Sequence, residues 1–600
     1  MSLKRRHPST ATSIPNSADQ KGSATATRWN RYIGMVVVLL MCFITPSTAV
    51  CADVADKQSK HWLHAVVAAD HPEASKAGLE MLQQGGNVVD AAVATSFALS
   101  VVRPASCGIG GGGFMVIWDA DTQQSVALDY RERAPAAASR DMFAEPSDAP
   151  EPASVRGGKA VAVPGNVAGL CYAAKHYGSL PLSTLLKPAI RLALNGWKAD
   201  QHDVEVIELT RSRFEKYKYD DRFAPLKKYY LKPVQPGDHI EGSPIWKVLY
   251  RISRNGPDAF YKGEIGRAIV DTVREAGGDM TLDDLAAAGP VVRKPLEASF
   301  HGHQILTMPP ASSGGIALIQ TLQSVEAWEQ QHNRRLFDLG HNSTDYVHVV
   351  VEAMKHAFAD RAEFLGDADF ASVPIEKLTS TDYARQIASR IQLDETLQPE
   401  SYGRFFNNDD AGTSHFSVID TKGNAVACTE TINLTFGSFV TVPEFGIILN
   451  NQMDDFAARP GEPNAFGLLQ SEANAVEPGK KPLSSMTPTV VVEDGKATFA
   501  SGASGGPKII TATIQVTLNH LIFNLSPQQA VAAPRFHHQW FPNELHLEPL
   551  LFESLAKNLR QKSHKVARRS ALAANQSASR SEQGVRGGSD PRKHGQPAGY

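Results

Sequence analysis

The sequence predicts a layered α/β fold with a mixed or antiparallel sheet, because helical and strand patterns occupy different parts of the chain. The clearest helix pattern is "TDYVHVVVEAMKHAFADRAEFL" (344–365), within a mostly helical stretch from about 165 to 400. Strand patterns return after residue 413, in "SHFSVID" (414–420) and "NAVACTETIN" (424–433). A long helical pattern follows at 507–523. Helices on either side of strands in sequence favour layers of helix packed on sheet.

Composition places the chain among ordinary globular proteins and argues against a nucleic-acid partner. Its 600 residues are 42% hydrophobic and 20% charged, which is enough apolar material for a large core. The formal net charge is −3. Without a basic excess there is no field to attract a polyanion, so we expect no nucleic acid partner.

The first 52 residues predict an export segment. A Ser-, Thr-, Ala-, Lys- and Arg-rich leader precedes the apolar run Tyr32–Ile44, and Val50 and Ala52 suit the −3 and −1 positions of a signal-peptidase site. The run is shorter than the roughly 20 residues of a spanning helix. We therefore expect a mature chain from Asp53, in the periplasm or outside the cell. An uncleaved anchor stays open as the alternative, because the leader is long.

The cysteines do not predict a disulfide framework. Two of the five lie in the export segment, which leaves Cys107, Cys171 and Cys428 far apart in sequence. An odd number of distant cysteines in an exported chain indicates small buried apolar side chains.

The glycine run "GIGGGG" (108–113) fits the pattern G-x-G-x-x-G but not its context. A dinucleotide fingerprint follows a strand and opens a helix, whereas this run follows a helical pattern and opens the strand pattern "FMVIWD". It indicates a close backbone approach and no nucleotide cofactor.

Two histidine groups raise the question of a metal. His348, Glu352 and His356 fall on one face of a helix, and His537 and His538 are neighbours in "FHHQW". The H-E-x-x-H pattern is absent, and adjacent histidines cannot easily share one ion. We expect a polar helix face, no metal and no cofactor.

The segment "GASGG" (502–506) permits two interpretations. A strand pattern precedes it and a helix pattern follows, as in the nucleophile elbow of a serine esterase with Ser504 at its centre. Only about a hundred residues remain for the Asp and His partners of such a serine. In the other interpretation, the backbone N–H groups of the glycines form an anion-binding nest.

Thr413 heads a predicted hairpin. If Asp420 pairs with Asn424 across the short loop "TKG", the same register places Thr413 opposite Thr431 and close to Asn433. A threonine hydroxyl is a weak nucleophile unless a base removes its proton, and a free α-amine on the same residue is such a base. That chemistry requires cleavage of the Gly412–Thr413 bond; otherwise Thr413 is an ordinary edge-strand residue.

The motifs together identify a resemblance to the γ-glutamyltransferases, also called γ-glutamyl transpeptidases or glutathione hydrolases. The motifs that carry it appear in the family's order from about residue 61 to the C-terminus: "DYRERAP", "GTSHFSV", "TINLTFGS", "ILNNQMDDF", "KPLSSMTPT", "GASGG" and "APRFHHQW". The resemblance implies an N-terminal-nucleophile hydrolase with an αββα sandwich. It also implies autocatalytic cleavage into a large subunit (53–412) and a small subunit (413–600) that share one fold as a heterodimer.

The resemblance also implies the roles of the site residues. Thr413 attacks the γ-glutamyl carbonyl to form an acyl-enzyme. Water or an acceptor amine, such as an amino acid or peptide, then removes the acyl group from Thr413. The other roles fall into four groups: Thr431 assists the nucleophile, Gly505 and Gly506 bind the oxyanion, Arg131, Ser484 and Ser485 hold the substrate's α-carboxylate, and Asp455, Asn433 and Gln452 hold its α-ammonium.

Two departures from the family pattern affect these expectations. Some members place a tyrosine in the loop after "DDF", where this chain has Phe466, so the hydrogen bond from that hydroxyl across the cleft to Asn433 is lost. The segment "RRSALAANQSASRSEQG" (568–584) is short and basic, and we expect it to be poorly ordered.

The sequence thus predicts an exported, self-cleaving hydrolase and transferase acting on glutathione and related γ-glutamyl amides. A glutaryl-type acylase on the same fold is the nearest alternative, although a glutaryl group has no ammonium to pair with Asp455. A Ser504 esterase and a non-catalytic γ-glutamyl-binding protein are the alternatives from other classes.

Overall fold

Two antiparallel sheets form the centre of the computed structural model, which describes residues 60–144, 149–402, 413–457 and 470–600. The first sheet has seven strands in the order β20-β1-β9-β10-β2-β3-β6, and the second has six in the order β19-β18-β14-β13-β8-β7. The strands, including those of three smaller sheets, are β1 Ala65–Ala69, β2 Gly112–Asp119, β3 Gln124–Tyr130, β4 Trp197–Lys198, β5 His239–Ile240, β6 Val291–Arg293, β7 Leu296–Phe300, β8 His303–Thr307, β9 Ser414–Asp420, β10 Ala425–Thr431, β11 Thr441–Val442, β12 Ile447–Ile448, β13 Thr489–Glu493, β14 Lys496–Ser504, β15 Phe536–His537, β16 Leu545–Leu547, β17 Val566–Arg568, β18 Ala574–Ser581, β19 Gly584–Ser589 and β20 Ala598–Gly599.

Helices surround the sheets. They are α1 Pro72–Gln83, α2 Val88–Val102, α3 Asn166–Tyr177, α4 Leu182–Leu185, α5 Lys187–Asn195, α6 Gln201–Tyr217, α7 Ala224–Tyr230, α8 Ile245–Asn255, α9 Asp258–Tyr261, α10 Gly263–Glu275, α11 Leu282–Ala286, α12 Gly314–His332, α13 Thr344–Phe364, α14 Ile375–Leu378, α15 Thr381–Ala388, α16 Lys508–Leu521, α17 Pro527–Ala532 and α18 Pro549–Gln561.

Three apolar cores define four layers. One core lies between the sheets and contains Phe114 and Val116 of the first sheet together with Val490 and Ala500 of the second. A second core joins α1, α2 and the helices between residues 166 and 275 to the outer face of the first sheet. A third joins α12, α13 and α16 to the second sheet. The layer order is therefore helix, sheet, sheet, helix, as the family resemblance implies.

Local sequence explains why the two innermost helices form and where they lie. All fifteen residues of α2 are buried, and Asn87 with Asp90 makes a capping box at its start. Most side chains of α2 are apolar or small on every face of the helix, so the helix is stable only when other elements of the protein pack around it on all sides. In α13, Ser343 caps the first turn, and residues 346–361 are buried.

Each of the two central sheets contains strands that precede the Gly412–Thr413 bond in sequence and strands that follow it. In the first sheet, β1 lies between β20 and β9, so a strand from before the bond is flanked by two strands from after it. In the second sheet, β8 pairs with β13 across the same divide. The two predicted subunits therefore contribute to one body; Gly412 itself lies outside the described residues.

One expectation about local structure is confirmed but incomplete, and another is wrong. The mostly helical stretch from 165 to 400 contains the strand run β6 to β8, whose β7–β8 hairpin forms the edge of the second sheet. The segment 568–584 is ordered, because β18 pairs with β14 and with β19 and is buried over most of its length. Its small polar residues, which give a weak apolar pattern, satisfy each other inside the sheet: Ser577 Oγ donates to Ser501 Oγ at 3.0 Å.

The chain divides into two units after Val54, and the predicted export segment 1–52 lies outside the described residues. Within residues 60–600, apart from the gaps given above, no helix has the length and apolarity to cross a membrane.

Candidate active site

Thr413 and Thr431 face each other at the open end of the β9–β10 hairpin. The ladder pairs Ile419 with Ala425 and Ser414 with Glu430, which is the predicted register. The next pair outward brings Thr413 Oγ1 within 3.4 Å of Thr431 Oγ1. Thr431 Oγ1 also accepts from the backbone N–H of Asn433 at 2.8 Å. The predicted proximity of these three residues is therefore confirmed.

The glycine run before β2 lets the chain pass close to Thr431. A Cβ on Gly111 would lie 2.1 Å from the Thr431 carbonyl oxygen, and one on Gly110 would lie 2.1 Å from that of Ile448. Both contacts are with backbone atoms, so a larger residue at Gly111 would displace the end of β10, and one at Gly110 would displace β12. The run follows α2 and opens β2, as predicted, and serves backbone packing.

Arg131 and Asp455 form an ion pair beside the two threonines. Arg131 Nη2 donates to Asp455 Oδ2 at 2.5 Å, and Gln452 Nε2 donates to the same oxygen at 2.7 Å. Arg131 Nε also donates to the Pro482 carbonyl at 3.2 Å. Burial raises the pKa of Asp455, while Arg131 opposes that shift. The pair thus places one fixed positive and one fixed negative group side by side.

One pocket collects nine of the ten predicted site residues. Its lining comprises Arg131, Arg361, Thr413, Thr431, Asn433, Gln452, Asp455, Leu483, Ser484, Ser485, Met486, Gly506, Pro507 and Ile509. The tenth predicted residue, Gly505, directly precedes Gly506. Residues from six separate sequence motifs therefore converge on one small polar cleft.

Arg361 is a lining residue that the sequence analysis missed. It lies on α13, is 1% exposed, and donates from Nε to Ser313 Oγ at 3.0 Å. Its Nη1 has no hydrogen-bond partner among the described residues. Burial lowers the pKa of this guanidinium to about 10, which leaves it protonated at neutral pH. A helical arginine in "ADRAEF" carries no local signal of a site, since only the fold brings it to Asp455.

Ser484, Ser485 and Asn433 are held by backbone contacts. The Ser484 N–H donates to Ala311 O at 2.9 Å, and its carbonyl accepts from Ser313 N–H at 2.8 Å. Asn433 adopts φ 73°, a left-handed conformation that asparagine tolerates, and its Nδ2 donates to Asn451 O at 3.0 Å. These contacts fix the backbone that presents the three side chains to the pocket.

Gly505 and Gly506 form a left-handed turn between β14 and α16. Their φ angles are 133° and 57°, and a Cβ on Gly505 would lie 2.9 Å from Ala573 Cα. Helix α16 begins at Lys508, so the turn lies at the positive end of the helix dipole. This arrangement suits backbone N–H donors to an oxyanion and fits the nest interpretation.

The surroundings of Ser504 do not form a catalytic triad. Its Oγ donates to the Ala574 carbonyl at 3.4 Å and accepts from Lys593 Nζ at 3.2 Å. An ammonium that donates to the serine cannot remove its proton. The esterase interpretation of "GASGG" therefore has no structural support.

His348 and Glu352 belong to a buried polar cluster remote from the pocket lining. His348 Nδ1 lies 2.8 Å from His564 Nε2. The cluster therefore consists of His348, Glu352 and His564, and His356, which the sequence placed on the same helix face, does not belong to it. Lys355 Nζ donates to Glu352 Oε1 at 3.1 Å and already supplies the positive charge there. The expectation that the chain binds no metal stays a prediction.

Buried titratable groups surround the hairpin. Burial raises the pKa of Glu430 to about 7, and Ser96 and Tyr130 donate to its carboxyl. Burial also raises the pKa of Glu132, next to Arg131, to about 7. Burial lowers the pKa of His415 to about 3, and its two ring nitrogens are hydrogen-bonded to Thr429 Oγ1 and Ser417 Oγ, so neither faces Thr413 Oγ1.

Comparison with solved structures identifies the class of the fold. The structure of a cephalosporin acylase from Bacillus halodurans superposes with a TM-score of 0.79 at 27% identity, covering 90% of this chain and 97% of that chain. That of the gamma-glutamyltranspeptidase of Helicobacter pylori gives a TM-score of 0.51 at 41% identity, covering 56% of this chain and 93% of that chain. The αββα layers with Thr413 at the mouth of a central strand are the fold of the N-terminal-nucleophile hydrolases.

Sequence comparison then gives the family. The gamma-glutamyltranspeptidase family model matches residues 74–600. The chain is 40% identical over 534 residues to the glutathione hydrolase proenzyme of Escherichia coli (strain K12), which covers 88% of this chain and 90% of that protein. The chain belongs to the gamma-glutamyltranspeptidase family.

Proposed function

We propose that the chain hydrolyses and transfers the γ-glutamyl group of glutathione and related amides, with Thr413 as the nucleophile. The observation that carries this proposal is the pocket in which Thr413 and Thr431 lie beside the Arg131–Asp455 pair. A γ-glutamyl group ends in one carboxylate and one ammonium, and the pocket offers one group of opposite charge to each. The membership of the family and the likeness to a glutathione hydrolase proenzyme support the same substrate class.

The reaction begins with self-cleavage. Thr413 Oγ1 attacks the Gly412 carbonyl carbon, the C–N bond to Thr413 breaks, and water hydrolyses the resulting ester. Gly412 gains a carboxylate and Thr413 a free α-amine. The large and small subunits stay together as a heterodimer, since their strands share both sheets.

The free amine then acts as the base for acyl transfer. It takes the proton from Thr413 Oγ1, which attacks the γ-carbonyl, and the backbone N–H groups of Gly505 and Gly506 stabilise the oxyanion. The amine passes its proton to the departing nitrogen, leaving a γ-glutamyl ester on Thr413. Water attacks this ester to give glutamate, or an acceptor amine attacks it to give a new γ-glutamyl amide.

The substrate's α-carbon is held by charge. Arg131 donates to the α-carboxylate, with Ser484 and Ser485 as further donors, and Asp455 pairs with the α-ammonium. Asn433 and Gln452 add hydrogen-bonding groups at the ammonium end. The glutaryl-type acylase is the alternative that the cephalosporin acylase fold raises. Asp455 argues against it, because a glutaryl group would leave that buried carboxylate without its cationic partner.

Denaturing electrophoresis with N-terminal sequencing tests the proposal. We expect two fragments, the smaller beginning Thr-Ser-His-Phe, and one intact inactive chain for Thr413→Ala. The processed protein should release glutamate from glutathione and leave a glutaryl anilide uncleaved. A single active chain, or preference for the glutaryl anilide, would overturn the assignment.

We also propose that residues 1–52 export the chain. The support is the basic leader, the short apolar run and the small residues before Asp53. Sequencing the large fragment from fractionated cells tests this, and Asp53 is the expected first residue, in the periplasm or the medium. A fragment that keeps the apolar run and sediments with membranes would indicate the anchor instead.

A further inference from the structure

Lys593 is a buried lysine seven residues before the C-terminus, with three partners for its ammonium group. Its Nζ donates to the Thr413 carbonyl oxygen at 2.5 Å, to Asp70 Oδ2 at 2.7 Å and to Ser504 Oγ at 3.2 Å. An ammonium has three N–H donors, so these contacts use its whole capacity. The lysine therefore joins the nucleophile residue to the strand end that leads into Gly505.

Thr413 depends on this contact because it lies outside the sheet ladder. Strand β9 begins at Ser414, whose partner is Glu430, and no ladder pair includes Thr413. After cleavage Thr413 is a chain terminus, and the first residue of a chain frays unless something holds it. Its carbonyl oxygen is the backbone atom that Lys593 holds.

The lysine is itself fixed in place. Asp70 Oδ1 accepts from Gln576 Nε2 at 2.6 Å, which fixes the carboxylate that faces the ammonium. Arg103 Nη2 donates to the carbonyl oxygens of Asp70 at 3.1 Å and of Lys593 at 3.2 Å. Arg103 Nη1 pairs with Asp203 Oδ1 at 2.7 Å. The ammonium thus has little freedom to move away from Thr413.

We propose that Lys593 is a positioning residue that holds the Thr413 backbone against the Ser504–Gly506 turn, so that the hydroxyl and the oxyanion donors keep a fixed separation. The inference rests on the proposed role of Thr413 as the nucleophile. Lys593 lies outside the pocket lining, so the proposed substrate position does not bring the γ-glutamyl group into contact with it. Its loss should therefore slow the chemistry and leave binding at the Arg131–Asp455 pair intact.

Lys593→Met tests the proposal by separating chemistry from binding. We expect kcat for glutathione to fall at least about tenfold, since a displacement of about 1 Å at a reacting atom can cost 100-fold. Self-cleavage should slow as well, because it uses the same hydroxyl. The Kd of L-glutamate, measured by calorimetry on the processed protein, should stay within about threefold of wild type. A kcat within about twofold of wild type, or an equal loss of glutamate binding, would overturn the proposal.

Two further variants keep the test decisive. His594→Asn changes the exposed neighbour of Lys593, and it should leave kcat unchanged. If Lys593→Met does not fold, Ser504→Ala removes one partner of the ammonium without stranding a buried charge. It should lower kcat about threefold or more at constant glutamate affinity, and an unchanged kcat would refute the proposed bridge.

The proposed function fails independently of this inference. A wild-type chain that neither cleaves itself nor releases glutamate from glutathione would reject the nucleophile assignment. An active, processed wild type with a fully active Lys593→Met variant would reject only the role of Lys593.

Discussion

Arg131 and Asp455 form an ion pair in the pocket that also contains Thr413, with 2.5 Å between Arg131 Nη2 and Asp455 Oδ2. The two groups proposed to hold the opposite charges of the substrate thus neutralise each other before it arrives. A zwitterion that enters between them replaces one ion pair by two, whereas a ligand with a carboxylate alone competes for Arg131 and brings no cation to pair with the buried Asp455. The proposed roles of the pair therefore predict selectivity for substrates that carry both an α-carboxylate and an α-ammonium.

Asp455→Asn should weaken substrate binding more than it slows the chemistry. Removing a charged hydrogen-bond partner of the ammonium costs about 1.5–3 kcal/mol, so KM for a γ-glutamyl anilide should rise about 10- to 100-fold. The preference for γ-glutamyl over glutaryl anilide should shrink in parallel. Steady-state kinetics on both anilides measure this.

Asp454→Asn is the matched control for that variant. Asp454 is also buried, but its Oδ1 accepts from Ser154 Oγ at 2.8 Å and it does not line the pocket. It should leave the ratio of the two anilides near the wild-type value. An unchanged KM in Asp455→Asn would break the ammonium assignment.

Thr431→Val should slow both self-cleavage and turnover. The change removes the hydroxyl that lies 3.4 Å from Thr413 Oγ1 and keeps the β-branched shape. We expect the half-time of cleavage, followed by electrophoresis, to lengthen about five- to twelvefold, which corresponds to the loss of about 1 to 1.5 kcal/mol from one hydrogen bond. Thr431→Ser retains the hydroxyl and should process nearly as fast as wild type; equal rates for the two variants would contradict this.

Arg361→Met should raise KM, because the guanidinium adds positive charge to a pocket that receives an α-carboxylate. We expect an increase of about fivefold or more, with a smaller effect on kcat. Arg274→Met, on the exposed side of α10, controls for a general loss of positive charge. Identical KM values in the two variants would show that Arg361 serves the fold alone.

Glu430 should make stability depend on pH. Burial raises its pKa from 4.5 to about 7, so the folded state binds this proton more tightly than the unfolded state does. Its contribution to stability is present below about pH 4.5 and is lost as the pH rises through about 7. Glu430→Gln stays neutral throughout, so its thermal midpoint relative to wild type should be higher at pH 8 than at pH 5, by about 2 °C or more.

Exposed Glu208→Gln, on α6, is the control for that measurement. Both variants should be compared with wild type at one heating rate. A difference between Glu430→Gln and wild type that is the same at both pH values would show that the carboxyl is not protonated in the fold.

Local pattern was sufficient to predict the hairpin and its contacts. A period-two strand, a short Gly-containing loop and a second strand predict a hairpin, and both the register with Asp420 opposite Asn424 and one shifted by a residue place Thr413 close to Thr431; the structure has the first of these. The turn at Gly505 was also predictable, since two glycines between a strand and a helix indicate left-handed backbone. The resemblance to the family supplied the substrate-binding roles, which spacing alone did not.

Long-range contacts were beyond the sequence. Arg361 reaches the pocket from α13, whose sequence pattern indicated a buried helix with a polar face elsewhere, and Lys593 reaches Thr413 across 180 positions. His348 similarly meets His564 across 216 positions. A single basic or histidine side chain produces no periodic sequence pattern, so nothing in the local sequence distinguishes these residues from residues on the surface. The order of β18 was missed because polar residues of this strand are buried through hydrogen bonds, as from Ser577 to Ser501 of β14 and to Asn575.

The position of β1 between β20 and β9 has a consequence for the stability of the chain after the proposed cleavage. In that scheme the precursor folds as one continuous polymer, but after cleavage the two fragments no longer share a covalent link that would guide them back into the alternating strand order. Once separated by denaturant, each piece leaves unpaired edges that invite aggregation. Survival of the processed heterodimer is therefore governed by how slowly it first comes apart, and a half-life describes it better than an equilibrium constant.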